Sequence, residues 1–218
     1  MIRVILTMML VITLLARGGS PHIVVEYDEK AEQPKYVIYN VQPTSPEKTV
    51  SRGSFKLDPS VSTETAHPDD YKYSGYDRGH LAPFSEFHAD IVGAKASMLM
   101  SNISPMLPSF NRSIWARIDR FIKGMAIAHH TTLTVITGPV FIRSGPEQSI
   151  NGVMIPDMFY KVVYKGNTLE YAFLVPHTGI RTDNILNYGV DVEYINVVAD
   201  INIDIIFQTY KEENDERD

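Results

Sequence analysis

A chain of 218 residues, 44% of them hydrophobic, is long enough to bury one sizeable core. It has no cysteine, which excludes disulfides, thiolate catalysis and cysteine-based zinc sites. The formal net charge of −6 argues against a protein that coats nucleic acid by charge alone, although a bound cation and a local basic patch can supply the field a nuclease needs.

The chain opens on "MIRVILTMMLVITLLARGGSP". One arginine, an apolar run from Val4 to Ala16 and then small residues resemble a secretory signal peptide, so residues 1–19 are expected to form a hydrophobic leader. The run is short for a bilayer span. The competing reading is a buried N-terminal strand, because Val4, Ile5, Val11, Ile12 and Thr13 favour strands. Export to the periplasm or medium is the expected location. A mitochondrial route is the alternative, with few arginines and little serine to support it.

Residues 20–210 are expected to form a single domain, followed by a solvated tail over 211–218, "KEENDERD". "PKYVIYNVQP" (35–43), rich in β-branched and aromatic residues between prolines, predicts a strand. Residues 51–75 are polar and full of turn formers, which predicts a long loop. "SFNRSIWARIDRFIKGMAIAH" (109–129) predicts a helix, with Pro108 before it and Ser109 able to cap it. At about 100° per residue, Phe110, Ile114, Trp115, Ile118, Phe121, Ile122, Met125 and Ala126 fall on one apolar arc. Asn111 falls inside that arc and Asp119 at its edge, so two polar groups face inward from one helix. Taken alone, Asn111 is more simply read as satisfying the backbone of a neighbouring loop. "LTVITGPVFI" (133–142) predicts a strand, "YKVVYKGNTLEYAFLVP" (160–176) two strands joined across Gly166-Asn167, and the alternating "INIDIIFQ" (201–208) a last strand.

The chemistry concentrates in two stretches. Asp77-Arg78-Gly79-His80 is followed by Leu81-Ala82-Pro83, and "SNISPMLPSFNRSIWARID" (101–119) runs into the helix that carries Asn111. Together they resemble the DNA/RNA non-specific endonucleases, the family of endonuclease G and of secreted bacterial nucleases. "DRGHLAP" matches outright, and Asn102, Pro105, Asn111 and Trp115 match in identity and spacing. The resemblance continues weakly through "TVITGPVF" and "IPDMFYKVVY". Two positions depart from the pattern. Met106 stands where the family has glutamine, and Asp119 where it has glutamate.

The resemblance implies an α+β fold, with a mixed, mainly antiparallel sheet and a ββα-metal finger that sets His80 opposite Asn111. It also implies a Mg²⁺ ion, with Mn²⁺ as a substitute, held by Asn111 and, through waters, by Asp119. Asn102 would support the site. Arg52 would match a phosphate-binding arginine, one residue out of register. The chemistry of the residues agrees with these roles. Neutral His80 can take a proton from water, and Arg78 offers a phosphate a fork of donors. Asp77 is expected to be structural, and His177 likewise. Arg112, Arg117, Arg120 and Lys123 either track phosphates or form a solvated face. His88 and His129-His130 lack any metal-binding pattern.

The expected activity is hydrolysis of phosphodiester bonds in both DNA and RNA, since such a site reads backbone and not bases. Relatives are often homodimers. Two other readings stay open: an inactive relative that binds nucleic acid or protein, and a metallohydrolase of non-nucleic phosphodiesters.

Overall fold

The computed structural model describes residues 18–20, 23–43, 50–87, 89–142, 148–179 and 184–215. The expected leader up to residue 17, His88 and the last three residues of the charged tail lie outside them. The core is one sheet of six strands: β1 (Gly18–Ser20), β2 (Ile23–Asp28), β3 (Gln33–Val41), and then β6 (Leu133–Val140), β9 (Met158–Lys165) and β10 (Thr168–Pro176). Every neighbouring pair is antiparallel, in that order, so the expected α+β architecture holds. The hairpin foreseen at Gly166-Asn167 joins β9 to β10, with Gly166 at φ +56°, where a side chain would be strained.

Strand alternation gives this sheet two apolar faces. Val37, Tyr39, Leu133, Val135, Phe159, Val163 and Phe173 belong to one core, and Ile38, Ile136, Tyr160, Val162, Tyr164 and Leu174 to the other. The first face is covered by a separate two-stranded unit and a long helix. β4 (Asp77–His80) pairs with β5 (Ile103–Met106), placing Asp77 opposite Met106 and His80 opposite Ile103. Between them runs α1 (Ile91–Ser97), whose cap Asp90 accepts from the Val92 and Gly93 amides. After β5 come α2 (Pro108–Phe110), a π-helical turn (Asn111–Trp115) and α3 (Ala116–Ala128). The long helix expected over 109–129 is therefore present but interrupted. The widened turn resets the angular register between Phe110 and Ala116, which a steady 100° per residue cannot anticipate. Phe110, Ile114, Trp115, Ile118, Ile122 and Ala126 are all buried against the sheet.

The other face is covered by α4 (Val192–Ala199) and α5 (Ile203–Asp215). Here the expected last strand over 201–208 is corrected to a helix. Its alternation would bury Ile201, Ile203 and Ile205 together, whereas Ile203 and Phe207 are buried and Ile205 is 63% exposed. Asn202 caps the helix, its Oδ1 accepting from the Ile205 amide at 3.0 Å, and the Phe207 ring stacks on Tyr164 at 3.8 Å. The helix continues to Asp215, so this part of the charged run is helical. β7 (Ser149–Ile150) and β8 (Val153–Met154) form a small separate hairpin, and the loop expected over 51–75 holds one short 3₁₀ turn at Pro68–Tyr71.

Candidate active site

His80 ends β4, and the ββα unit brings it to the wall of an open pocket of about 720 Å³. Arg52, Arg78, Asn111, Trp115, Asp119 and Arg120 line the same pocket. Five of the six residues singled out from the sequence therefore meet there. The sixth, Asn102, does not. It is fully buried, its Oδ1 accepts from the Ala82 amide and its Nδ2 donates to the Ala82 and Ser97 carbonyls, each at 2.9 Å. Asn102 thus clamps the chain just after His80 and leaves no amide group for the pocket.

The hairpin backbone explains the glycine in the motif. A Cβ on Gly79 would meet the Met106 Sδ at 2.3 Å, so the buried Met106 side chain fills the space a side chain at 79 would need. His80 is held from two sides. Its carbonyl accepts from Trp115 Nε1 at 3.1 Å, and its ring packs against Phe55 at 5.4 Å between centroids. The same Phe55 ring lies under the guanidinium of Arg78 at 4.9 Å and of Arg52 at 5.6 Å. One aromatic side chain thereby keeps the imidazole and both arginines at one edge of the pocket. His80 Nε2 is buried and has no hydrogen-bond partner among the described residues. Burial, aided by the positive charge of Arg52, pushes the imidazole down from 6.5 to about 3, so the ring is neutral.

Across the pocket, the π turn presents Asn111. Its Nδ2 donates to Asp77 Oδ2 at 2.9 Å. Arg112 grips the same carboxylate with two bonds, at 2.9 and 2.6 Å. Asp77 therefore has a definite task. It turns the amide nitrogen of Asn111 toward itself and leaves Oδ1 without a bond to any described residue. Ser113 Oγ donates to the Ser109 carbonyl within the π turn.

Asp119 sits one helical stretch further on and forms an ion pair with Lys161 at 2.8 Å. Burial pushes Asp119 up and Lys161 down, and their attraction opposes both shifts. Lys161 was missed in the sequence, although a signal was present: a lysine inside the apolar strand "MFYKVVY" must find partners or leave the core. Another residue missed was Glu86, whose side chain is 4% exposed and pairs with Lys123 at 3.1 Å. Lys123 also donates to the Gln42 carbonyl. Lys123 and Arg112 are thus tied to carboxylates, while Arg120 lines the pocket. His177 is structural, as expected. Its Nε2 accepts from the Leu107 amide at 2.7 Å, its Nδ1 donates to the Pro156 carbonyl at 2.8 Å, and its ring packs on Phe110 and Phe159 beneath the start of the helix. Among the described residues, no three histidine, aspartate or glutamate side chains cluster as metal ligands.

Two paired strands feeding a helix, with a histidine at a strand end across a pocket from a helical asparagine, form a ββα unit. Residues 17–209 match the DNA/RNA non-specific endonuclease family, and the chain belongs to it. It is 33% identical over 161 residues to nuclease C1 of Cunninghamella echinulata var. echinulata, covering 64% of this chain and 62% of that one. It is 31% identical over 156 residues to a nuclease of Syncephalastrum racemosum, covering 62% and 48%. The chain therefore spans only about half to three fifths of the length of these curated relatives. Its fold is shared with a chain of the EndoG/EndoGI inhibition complex, at a TM-score of 0.73 and 24% identity over 85% of this chain and 84% of that one. The expected export is corrected by these similarities. Relatives from Xenopus laevis, Bos taurus, Saccharomyces cerevisiae, Schizosaccharomyces pombe and Danio rerio are named as mitochondrial nucleases, against the secreted or periplasmic location expected.

Proposed function

We propose that the protein is a Mg²⁺-dependent endonuclease that hydrolyses phosphodiester bonds in DNA and RNA without reading base sequence. The observation that carries this reading is the buried, unpartnered Nε2 of a neutral His80, in one pocket with Arg52, Arg78 and Asn111. A lone pair kept free of protein partners has the form of a base for water. His80 takes the proton of a water as its oxygen attacks phosphorus, and the bond to the leaving oxygen breaks. Arg78 and Arg52 face the charge that develops on the phosphoryl oxygens. Binding a phosphodiester also raises the basicity of His80, because its anionic charge faces the ring and engages Arg52, a cause of the low pKa.

The donor set suits a hard cation that keeps most of its waters. Asn111 Oδ1 would hold Mg²⁺, or Mn²⁺ in its place, and Asp119 would accept from the waters around it. When bound, the ion supplies positive charge to the phosphoryl and leaving oxygens. Asn102 contributes indirectly, by clamping the chain beyond His80. The arginines that face the pocket, Arg52, Arg78 and Arg120, suit phosphate and not base edges, so DNA and RNA are both substrates.

The test is incubation of supercoiled plasmid and of a structured RNA with the purified chain, in Mg²⁺ or in EDTA, beside His80→Ala. Loss of both substrates in Mg²⁺ alone, reduced by at least about 10²-fold in the folded variant, is the expected result. Intact substrates with wild-type protein, or undiminished cutting by His80→Ala, would overturn the reading.

A further inference from the structure

Lys161 lies on β9 with its side chain wholly buried beneath the pocket. An ammonium has three protons to donate, and three protein oxygens lie within reach of this one. Nζ lies 2.8 Å from Asp119 Oδ1, 3.1 Å from Tyr39 Oη and 3.0 Å from the Leu81 carbonyl. These acceptors belong to three parts of the fold, α3, β3 and the chain immediately after His80, and the lysine itself stands on a fourth, β9. The charge also lies 4.4 Å from the centre of the Trp115 ring, and Trp115 itself donates to the His80 carbonyl. A buried ammonium could satisfy itself with one carboxylate and two waters anywhere in a core. Here the three neighbouring oxygens belong to protein groups, each on the central sheet or on one wall of the pocket.

We infer that Lys161 is the positioning residue of the site: anchored on the sheet and on the chain just after His80, its ammonium fixes the Asp119 carboxylate at the distance from His80 and Asn111 at which it can grip the waters of a bound cation. The inference rests on the nuclease reading above. It also accounts for the aspartate at 119. The ammonium holds Oδ1 in place, so the short carboxylate is set by its partner and does not depend on the reach of its own side chain. Lys161 itself touches neither substrate nor cation and acts only through Asp119.

The experiment compares wild type, Lys161→Met, Asp119→Asn and the double variant. Mn²⁺ is titrated into each protein without nucleic acid and followed by electron paramagnetic resonance, and kcat and KM are measured on plasmid. Lys161→Met is expected to lose about 10–100-fold in Mn²⁺ affinity and in kcat, with KM within about twofold of wild type. Lys161→Met strands a buried carboxylate and is the variant at risk of unfolding. The double variant carries no such charge and is expected to fold, with the Mn²⁺ affinity and kcat of Asp119→Asn alone. Wild-type Mn²⁺ affinity in Lys161→Met would overturn the inference. So would a double variant clearly weaker than Asp119→Asn, or one that fails to fold where Asp119→Asn folds. If wild type cuts no nucleic acid, the functional reading fails by itself, and the Mn²⁺ arms still judge the role of Lys161.

Discussion

The two faces of the central sheet solve different problems with the same strands. Along β9, Tyr160, Val162 and Tyr164 point to the face under α4 and α5, where Ile195, Ile203 and Phe207 close an ordinary apolar core. Phe159, Lys161 and Val163 point the other way, and there the core includes a buried ion pair and supports the pocket. One face holds the sheet together. The other spends some of its apolar area on polar groups that fix His80, Asn111 and Asp119 relative to one another. The difference shows that stability and site geometry can be assigned to opposite sides of one layer, which makes them separable by mutation.

The strongest challenge to this separation is acid. His80 titrates at about 3 in the folded chain and near 6.5 when unfolded. Between those values the unfolded chain binds more protons, so this contribution to stability is complete above pH 6.5 and is lost as pH falls toward 3. Melting temperatures measured in EDTA should therefore fall between pH 6.5 and 4, and fall less steeply in His80→Gln. Equal slopes would show that the site face carries no such linkage. Next in size is Phe207→Ala on the opposite face. It removes a fully buried ring stacked on Tyr164 and should cost about 3–5 kcal/mol in urea unfolding, with kcat unchanged at temperatures where the variant stays folded. A large loss of kcat would join the two faces into one unit. The smallest change expected in stability is for Asn111→Ala, whose half-buried amide shares Asp77 with Arg112. Its melting temperature should stay close to that of wild type while Mn²⁺ affinity drops about 10-fold or more. Unchanged affinity would clear Asn111 of holding the ion.

Most of the residues that meet in the pocket were legible because the motif is local. His80, Arg78 and Gly79 stand together, and Asn111 and Asp119 share one helical stretch. The β9–β10 hairpin was legible for the same reason, since a Gly-Asn turn between two apolar runs specifies its own pairing. Residues 201–208 misled because three isoleucines at every second position imitate a half-buried strand. The Asn202 cap and the buried pair Ile203 and Phe207, four residues apart, decide for a helix once a sheet face is there to receive them. The role of Asn102 was blurred by its neighbourhood. Its place in the motif pointed to the site, while its three backbone bonds turn it toward the loop beyond His80.

By itself, then, the sequence determined the family and brought His80, Arg78 and Asn111 into view, because each lies within a short motif whose spacing is fixed by one hairpin and one helix. Tertiary structure alone decided which groups those residues touch. Asp77 turning the amide of Asn111, Phe55 packing on Arg78 and His80, and Lys161 reaching Asp119 from another strand are contacts between segments far apart in the chain. Local spacing does not encode them. They follow from the packing of a ββα unit onto one face of a sheet, which brings the buried Lys161 within 2.8 Å of the Asp119 carboxylate.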